Sequence, residues 1–131
     1  MPNVSLDKPT QQTKAPQDTE SLTATLVNQT SGDLVLVNSS TDEQWSIPPP
    51  SVIASGQSGQ FSSPGDFSNP SAGSVTYKAV AVNDTTFTLQ WTIPSVGPNN
   101  INWQTSPGLT AKESGSLSGW NLSASWFISA G

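Results

Sequence analysis

Any chemistry performed by this chain would rest on carboxylates and hydroxyls, because its 131 residues include no histidine and no cysteine. The serine–histidine–aspartate and cysteine–histidine arrangements of nucleophilic catalysis are therefore excluded. Asp42 and Glu43 form the only adjacent acidic pair. Neighbours in a strand point to opposite faces, so this pair would not converge on one substrate as the two acids of a glycosidase do. We expect no enzymatic activity.

The remaining carboxylates show no pattern of metal or phosphate binding. Asp33, Asp66 and Asp84 stand apart, without the clustered oxygen ligands of a calcium loop. The segment Gly56-Gln-Ser-Gly59 lacks both the lysine and the following helix of a phosphate-binding loop. The absence of cysteine also excludes a disulfide framework and a thiolate metal site. We expect neither a metal nor a cofactor.

The charge balance limits the partners of the chain. Its net charge is −5, and only 10% of its residues are charged. Two of its four cationic side chains, Lys8 and Lys14, lie before residue 20. So few cations cannot neutralise a phosphate backbone or attract anionic lipid, so we expect no nucleic-acid partner. Membrane contact would have to rest on aromatic and neutral polar groups.

No targeting segment is recognisable in the sequence. The first residues carry no basic stretch followed by an apolar one, and no run of 18 apolar residues occurs. We therefore expect synthesis without a signal peptide. The protein would be cytoplasmic, or released and active outside the cell at membranes.

The chain divides near residue 21. Residues 1–20 are polar and rich in proline, which predicts a flexible or partner-bound arm, whereas residues 21–131 show the period-two alternation of β-strands. No apolar recurrence of helical period extends over three turns. The predicted strands are 22–29, 33–38, 43–47, 58–63, 73–82, 85–93, 100–105, 108–114 and 119–128.

About nine short strands with frequent turns are typical of a small antiparallel two-sheet β-sandwich. A hairpin with a tight turn of positive φ is predicted at Asn83-Asp84. Alternation also predicts which side chains point inward: Leu22, Leu26, Leu34, Leu36, Val75, Tyr77, Phe87, Leu89, Leu122, Trp126 and Ile128.

Two proline- and glycine-containing segments begin with a tryptophan: one runs from Trp45 to Phe61, the other from Trp91 to Asn99. Proline ends each strand directly after its tryptophan, which predicts aromatic rings near strand ends, where a sandwich collects its loops. Core and exposed positions remain alternatives for Trp45, Trp91, Trp103 and Trp120, whereas Trp126 alternates with core residues.

These positions define a candidate binding site. We expect Trp45, Trp91 and Trp103 to lie at one end of the sandwich, beside the amides of Asn99 and Asn100. Indole rings favour the headgroup depth of a membrane, and side-chain amides can bond a phosphate or hydroxyl. The pattern predicts a site for a neutral or zwitterionic lipid headgroup, with no catalytic and no metal-binding residues.

The same segments resemble the aegerolysins and their bacterial crystal-protein relatives over roughly residues 22–130. The resemblance rests on Pro49-Pro50-x-x-Ile53-x-x-Gly56-x-x-Gly59-x-Phe61, on Gly73-Ser-Val75-Thr-Tyr77 and on Trp91-x-x-Pro94-x-x-Gly97-x-Asn99. It implies a β-sandwich, synthesis without a leader and recognition of headgroups in sphingolipid-containing membranes. In some members a pore forms only with a larger partner protein. The chain differs in its arm, in loop 62–72 and at Ile101, where relatives tend to carry an aromatic residue.

Two functions of different classes follow. The first is a lipid-headgroup (sphingolipid-type) binding module, as the recruiting component of a two-part cytolytic or pore-forming toxin. The alternative is a self-assembling subunit of a fibre or an intracellular inclusion, whose arm 1–20 pairs with the sheet edge of a neighbour in a homo-oligomer. A sugar-binding lectin is a third interpretation, but no repeat or ligand cluster singles it out.

The scatter of carboxylates generates a first prediction. Addition of a chelator should leave the melting temperature unchanged, because no metal contributes to folding. Thermal unfolding with and without excess EDTA measures this. A fall of several degrees in EDTA, reversed by a divalent cation, would contradict it.

Overall fold

The structure, a computed structural model, describes residues 19–131. Alternating apolar residues form nine strands over this range, and a single 3₁₀ turn occurs at Val80–Val82. The strands are β1 (Thr19–Asn28), β2 (Leu34–Thr41), β3 (Val52–Ile53), β4 (Ser58–Asp66), β5 (Ser71–Ala79), β6 (Thr85–Ile93), β7 (Asn100–Thr105), β8 (Leu109–Ser116) and β9 (Asn121–Ala130).

The strands form two facing sheets, so the predicted two-sheet β-sandwich is confirmed. One sheet has the order β4-β1-β9-β8 and the other the order β3-β2-β5-β6-β7. Neighbouring strands are antiparallel except β1 and β9, which are parallel from Ser21 beside Asn121 to Asn28 beside Ile128. A parallel pair needs a long crossover, and here the seven intervening strands supply it.

The segment predicted as strand 43–47 is not a strand. Only Ile47 pairs there, as an isolated bridge to Ser62. The prolines at 48–50 follow directly, and they have no backbone N–H group to donate to a neighbouring strand. The edge strand therefore forms after them, as β3. At the other boundary, Thr19 and Glu20 of the predicted arm already belong to β1. Residues 1–18 of that arm lie outside the described residues.

The core lies between the two inner faces, as the alternation predicted. All predicted inward side chains are buried except Leu36, which is partly buried and packs against the core. Position-by-position alternation is clearest in β1, where every second residue from Glu20 to Asn28 is buried. The carboxylate-bearing residue Glu20 is only 1% exposed, so the inner face is not wholly apolar near the start of β1.

The strand directions determine at which end of the sandwich each connection lies. At one end lie residues 67–70, 94–99 and 117–120, which we call the tip. At the opposite end lie residues 29–33, 54–57, 80–84 and 106–108. The segment 42–51 runs between the two ends, because it joins the tip end of β2 to β3.

Asn28 ties the opposite end together. Its Nδ2 donates to the carbonyls of Gly32 and Ile53, each at 2.8 Å. Its Oδ1 accepts from the backbone N–H and the hydroxyl of Thr30, at 2.9 and 2.7 Å. A buried amide that makes all these bonds is stabilising rather than costly.

The hairpin between β5 and β6 has the backbone expected at its turn. Asn83 and Asp84 have φ of 59° and 56°, and asparagine and aspartate tolerate this left-handed region. However, β5 ends at Ala79, three residues earlier than predicted, and the 3₁₀ turn follows. The connection is therefore five residues long instead of two.

Tyr77 generates a pH prediction. Its hydroxyl donates to the Pro50 carbonyl at 2.6 Å, and burial raises the pKa of Tyr77 well above its ordinary value of 10.0. The unfolded chain then loses this proton at a lower pH than the folded chain does. The contribution of the protonated Tyr77 hydroxyl to the free energy of unfolding is fully present below about pH 10. Above that pH the free energy of unfolding should fall by up to about 1.4 kcal/mol per pH unit.

Urea denaturation from about pH 8 to about pH 11.5 measures this loss. Tyr77→Phe is the matched variant, because it removes the titrating group and lets the lysines titrate as before. It should be less stable at pH 8 by about 1–2 kcal/mol, since the Pro50 carbonyl loses its donor. Its free energy of unfolding should then fall less steeply above pH 10. Identical slopes for the two proteins would refute the prediction.

Candidate functional site

Hydrogen bonds join the three connections of the tip through Ser95. The Ser95 hydroxyl donates to the Phe67 carbonyl at 3.4 Å, and the Trp120 indole N–H donates to the Ser95 carbonyl at 3.0 Å. Asn99 adds a second link, because its Nδ2 donates to the Gly119 carbonyl at 2.9 Å. The tip is therefore one joined surface formed by three parts of the chain.

The three connections carry exposed apolar side chains and no charge, and the exposed carboxylates of Asp42 and Asp66 border them. Phe67 is 59% exposed and Val96 is 53% exposed, on two connections that touch at Ser95. None of the three connections contains a charged residue. The nearest carboxylate in sequence, Asp66, accepts the backbone N–H groups of Ser68 and Asn69, each at 2.9 Å. Exposed apolar side chains on neighbouring connections are typical of an interaction site.

Behind the tip, three aromatic rings pack against one another. The Trp45 ring lies 5.7 Å from Phe61 and 6.0 Å from Trp91, and Phe61 lies 5.6 Å from Trp91. Gly73 leaves room for this group, since a Cβ there would lie 2.9 Å from Cζ2 of Trp91. Trp45 and Trp91 therefore contact each other.

The two tryptophans have different access to solvent. Trp91 is 2% exposed and belongs to the core, whereas Trp45 is partly exposed. Of the alternatives left open for Trp91, the core position is the one observed. A ligand outside the protein can touch Trp45, and Trp91 holds the Trp45 ring in place.

Trp103 lies in a different cluster. It packs edge-on against Trp126, with ring centroids 5.7 Å apart and an interplanar angle of 75°. Trp126 is fully buried and Trp103 is partly exposed on the edge strand β7. The structure therefore places Trp103 against the β8–β9 side of the core, while Trp45 contacts Trp91 and Phe61.

Of the two predicted amides, Asn99 holds the tip together and Asn100 faces solvent. Besides Gly119, Asn99 Nδ2 reaches the Leu117 carbonyl at 3.3 Å. Asn100 is exposed, and its Oδ1 accepts from Asn102 Nδ2 at 2.7 Å. This bond uses the Oδ1 of Asn100 and not its Nδ2 group. Headgroup contact by either residue stays a prediction.

The sequence reasoning missed Phe67 and Val96 as surface residues, and it missed a group of hydroxyls near the tip. Ser71 Oγ donates to the Ser63 carbonyl at 2.8 Å, and Ser63 Oγ lies 3.2 Å from Thr41 Oγ1. Ser63 and Ser71 are fully buried. A signal for Phe67 was available, because an aromatic residue within Pro-Gly-Asp-Phe-Ser-Asn-Pro sits in turn chemistry that cannot bury it.

Between residues 19 and 131, no three acidic side chains come close enough together to hold a metal ion. No helix in this range has the length and apolar character needed to cross a membrane.

No protein-family model matches the sequence, and a comparison with curated proteins finds no match. Solved structures do match. IP-1A from Alcaligenes faecalis superimposes with a TM-score of 0.67 at 12% identity, over 88% of this chain and 94% of that chain. RahU, solved in complex with a TRIS molecule, has a TM-score of 0.61 at 14% identity, over 86% and 96% of the two chains.

A third similar structure is described as the lipid binding protein Nakanori. Its TM-score is 0.58 at 12% identity, over 84% of this chain and 70% of that chain. Sequence identities this low establish a common fold. The chain therefore has a β-sandwich fold shared with IP-1A, RahU and Nakanori, and one of these proteins binds lipid.

Proposed function

We propose that the protein is a non-enzymatic lipid-binding module that docks on membranes through its tip. The observation that carries the proposal is the exposure of Phe67 and Val96 on adjacent, uncharged connections. The fold shared with the lipid binding protein Nakanori supports it. So does the resemblance of the Trp45–Phe61 and Trp91–Asn99 segments to the aegerolysins.

Apolar transfer drives the proposed docking. Full burial of a phenylalanine or valine side chain is worth about 1.5–3 kcal/mol, so two such residues can hold a small protein weakly on a bilayer. The described residues include only two lysines, Lys78 and Lys112, and neither lies in the tip. Binding should therefore depend little on ionic strength.

The aromatic cluster behind the tip supplies the proposed headgroup contact. Trp45 offers a partly exposed ring near the bilayer surface, and Asn100 offers an exposed amide. Neutral partners of this kind suit a zwitterionic, sphingolipid-type headgroup. Following the family resemblance, we further propose that the module recruits a larger pore-forming partner protein in a two-part cytolytic system.

Self-assembly is the second candidate, favoured by the free edges of the two described sheets. β8 ends one sheet and β7 ends the other, so each carries a row of backbone groups on its outer side. A strand from another copy, such as one from residues 1–18, could add there. Light scattering on the full chain distinguishes this function, because a homo-oligomer forms without lipid.

Substitution at the tip tests the proposed docking. Phe67→Ser and Val96→Ser should each weaken binding to vesicles of phosphatidylcholine and sphingomyelin by about tenfold, because each removes an apolar side chain that enters the bilayer. Val80→Ser is the matched control, since Val80 is also exposed, at 49%, but lies at the opposite end. Vesicle sedimentation gives the affinities, and thermal unfolding checks the fold.

Three outcomes would argue against membrane docking by the tip. The first is equal affinity for the tip variants, the control and the unmodified protein. The second is a large loss of affinity between about 50 and about 500 mM salt, which would indicate electrostatic attraction instead. The third is loss of binding in all three variants together, which would indicate a docking surface other than the tip.

A further inference from the structure

Each described sheet has two edge strands, and an edge strand exposes backbone N–H and C=O groups that can pair with another chain. The first edge, β3, is only two residues long and comes shortly after the prolines at 48–50. Where β2 extends beyond β3, it has a bulge between Leu36 and Asn38. The edge of β4 is covered, because Ile47 and Ser62 exchange backbone hydrogen bonds of 3.3 and 2.9 Å. Both of these edges therefore resist pairing with a further strand.

The remaining edges, β8 and β7, differ in their protection. β8 contains Lys112 and Glu113, and its Gly115 has a φ of 132°, which other residues rarely adopt. Charges and irregular backbone both discourage edge pairing. The six residues of β7 (Asn-Ile-Asn-Trp-Gln-Thr) include no charge, no proline and no glycine. In the part of the chain that the structure describes, β7 is the edge without protection.

The hydrogen-bond register shows which backbone groups of β7 are open to a partner. In an antiparallel pair, opposite residues alternate between bonding each other and directing their backbone groups to the other side. The N–H of Ser106 donates to the Thr86 carbonyl at 2.9 Å, and the register continues this bonded pairing along the even-numbered residues of β7. The odd-numbered residues therefore direct their backbone groups away from β6. These residues are Ile101, Trp103 and Thr105.

The side of the sandwich next to β7 is open to solvent. The inward-facing residues Leu89 and Trp91 of β6 are buried, whereas their partners Trp103 and Ile101 on β7 stay partly exposed. A strand that added to β7 would cover this apolar surface as well as bond the backbone groups. Apolar burial favours association in water, where hydrogen bonds alone contribute little net free energy.

We propose that β7 pairs antiparallel with β7 of a second copy of this chain, so that two five-stranded sheets join across a two-fold axis. The outer face of β7 is self-complementary, because it presents only the exposed amides of Asn100, Asn102 and Gln104. Each amide has both donors and an acceptor, so amides of two copies can bond each other. Each copy has a net charge of −5, so association is least opposed at an uncharged strand.

The free backbone groups determine the register of this pairing. Odd-numbered residues of one β7 must lie opposite odd-numbered residues of the other, because only these direct their backbone groups outward. With Trp103 of both copies on the axis, Ile101 lies opposite Thr105 of the second copy, and about six backbone hydrogen bonds form. The same register places Asn102 opposite Gln104 of the second copy, with Cβ atoms roughly 5 Å apart. The two Trp103 rings lie side by side and cover each other.

This pairing does not rest on membrane docking by the tip. It deepens the second candidate function, self-assembly through free sheet edges, because it names β7 itself as the partner of β7 in place of residues 1–18. One short strand from each copy makes a small interface, and small interfaces are typically weak and transient. Monomer and dimer should therefore both be present at micromolar to millimolar concentrations.

Amide hydrogen exchange tests the pairing on the unmodified full chain. NMR of the ¹⁵N-labelled protein without lipid, at about 20 μM and about 1 mM, compares mostly monomer with mostly dimer. The N–H groups of Trp103 and Thr105 should exchange at least about threefold more slowly at the higher concentration, because the second copy bonds them. Asn102 and Gln104 bond β6 and should be protected at both concentrations.

The edge strand β8 supplies the matched control for exchange. The N–H of Gly131 donates to the Gly108 carbonyl at 3.0 Å, and this register directs the backbone groups of Ala111 and Glu113 outward. Exchange of Ala111 and Glu113 should not change with concentration. If Trp103 exchanges equally at both concentrations, or if Ala111 and Glu113 become protected in its place, the proposal is wrong.

Paired substitutions on the exposed face of β7 test the register. Asn102→Lys combined with Gln104→Lys places like charges opposite each other and should lower the association constant about tenfold. Asn102→Lys combined with Gln104→Glu places opposite charges there and should leave dimerisation intact. Ser114→Lys combined with Ser116→Lys adds the same charges, at the same spacing, to the exposed face of β8 and should change nothing. Sedimentation equilibrium gives the association constants, and thermal unfolding checks each fold.

The results separate this pairing from the other proposals. An oligomer that survives Asn102→Lys with Gln104→Lys would overturn the β7 pairing while leaving self-assembly through another surface. Equal losses in that variant and in either of the other two double variants would also overturn it. Phe67→Ser should dimerise as the unmodified protein does, so a failure of membrane docking is distinguishable from a failure of the β7 pairing.

Discussion

The parallel pairing of β1 with β9 is the interaction on which the rest of the structure depends. It joins the first and the last described strands in the middle of one sheet, so the chain closes on itself. Backbone bonds extend the pairing at both ends: the N–H of Ser21 donates to the Trp120 carbonyl, and that of Gln29 to the Ile128 carbonyl, each at 2.8 Å. Because Trp120 is held there, the connection 117–120 is positioned to complete the tip.

The same pairing sets the position of Trp126. β9 lies between β1 and β8, so its register on β1 sets the height at which the Trp126 ring meets Trp103 of the edge strand β7. The connection 117–120 of the tip and this contact between rings are thus both consequences of one long-range strand pair.

Tryptophan illustrates how packing separates residues of one type into different roles. Trp91 fills space left by Gly73 and is core, while its neighbour Trp45 covers it and meets solvent. Trp126 is core as well, and Trp103 covers it from the edge strand. In each cluster the buried ring fixes the orientation of the partly exposed one. An exposed ring that is held in this way loses less side-chain entropy on binding.

The sequence by itself determined the fold class, most strands and nearly all of the inner face, because alternation is a local property and a side chain's face follows from its parity along the strand. The positive φ at Asn83 and Asp84 could also be predicted from the sequence, because it depends on the residue types at the turn itself. The partners across the sheets were decided only by the tertiary structure. Trp103 meets Trp126, and Phe67 meets the loop of Val96, through strand pairings between distant residues. Parity states which face a residue occupies, but it carries no information about which strand lies opposite, and that choice depends on how the whole chain packs.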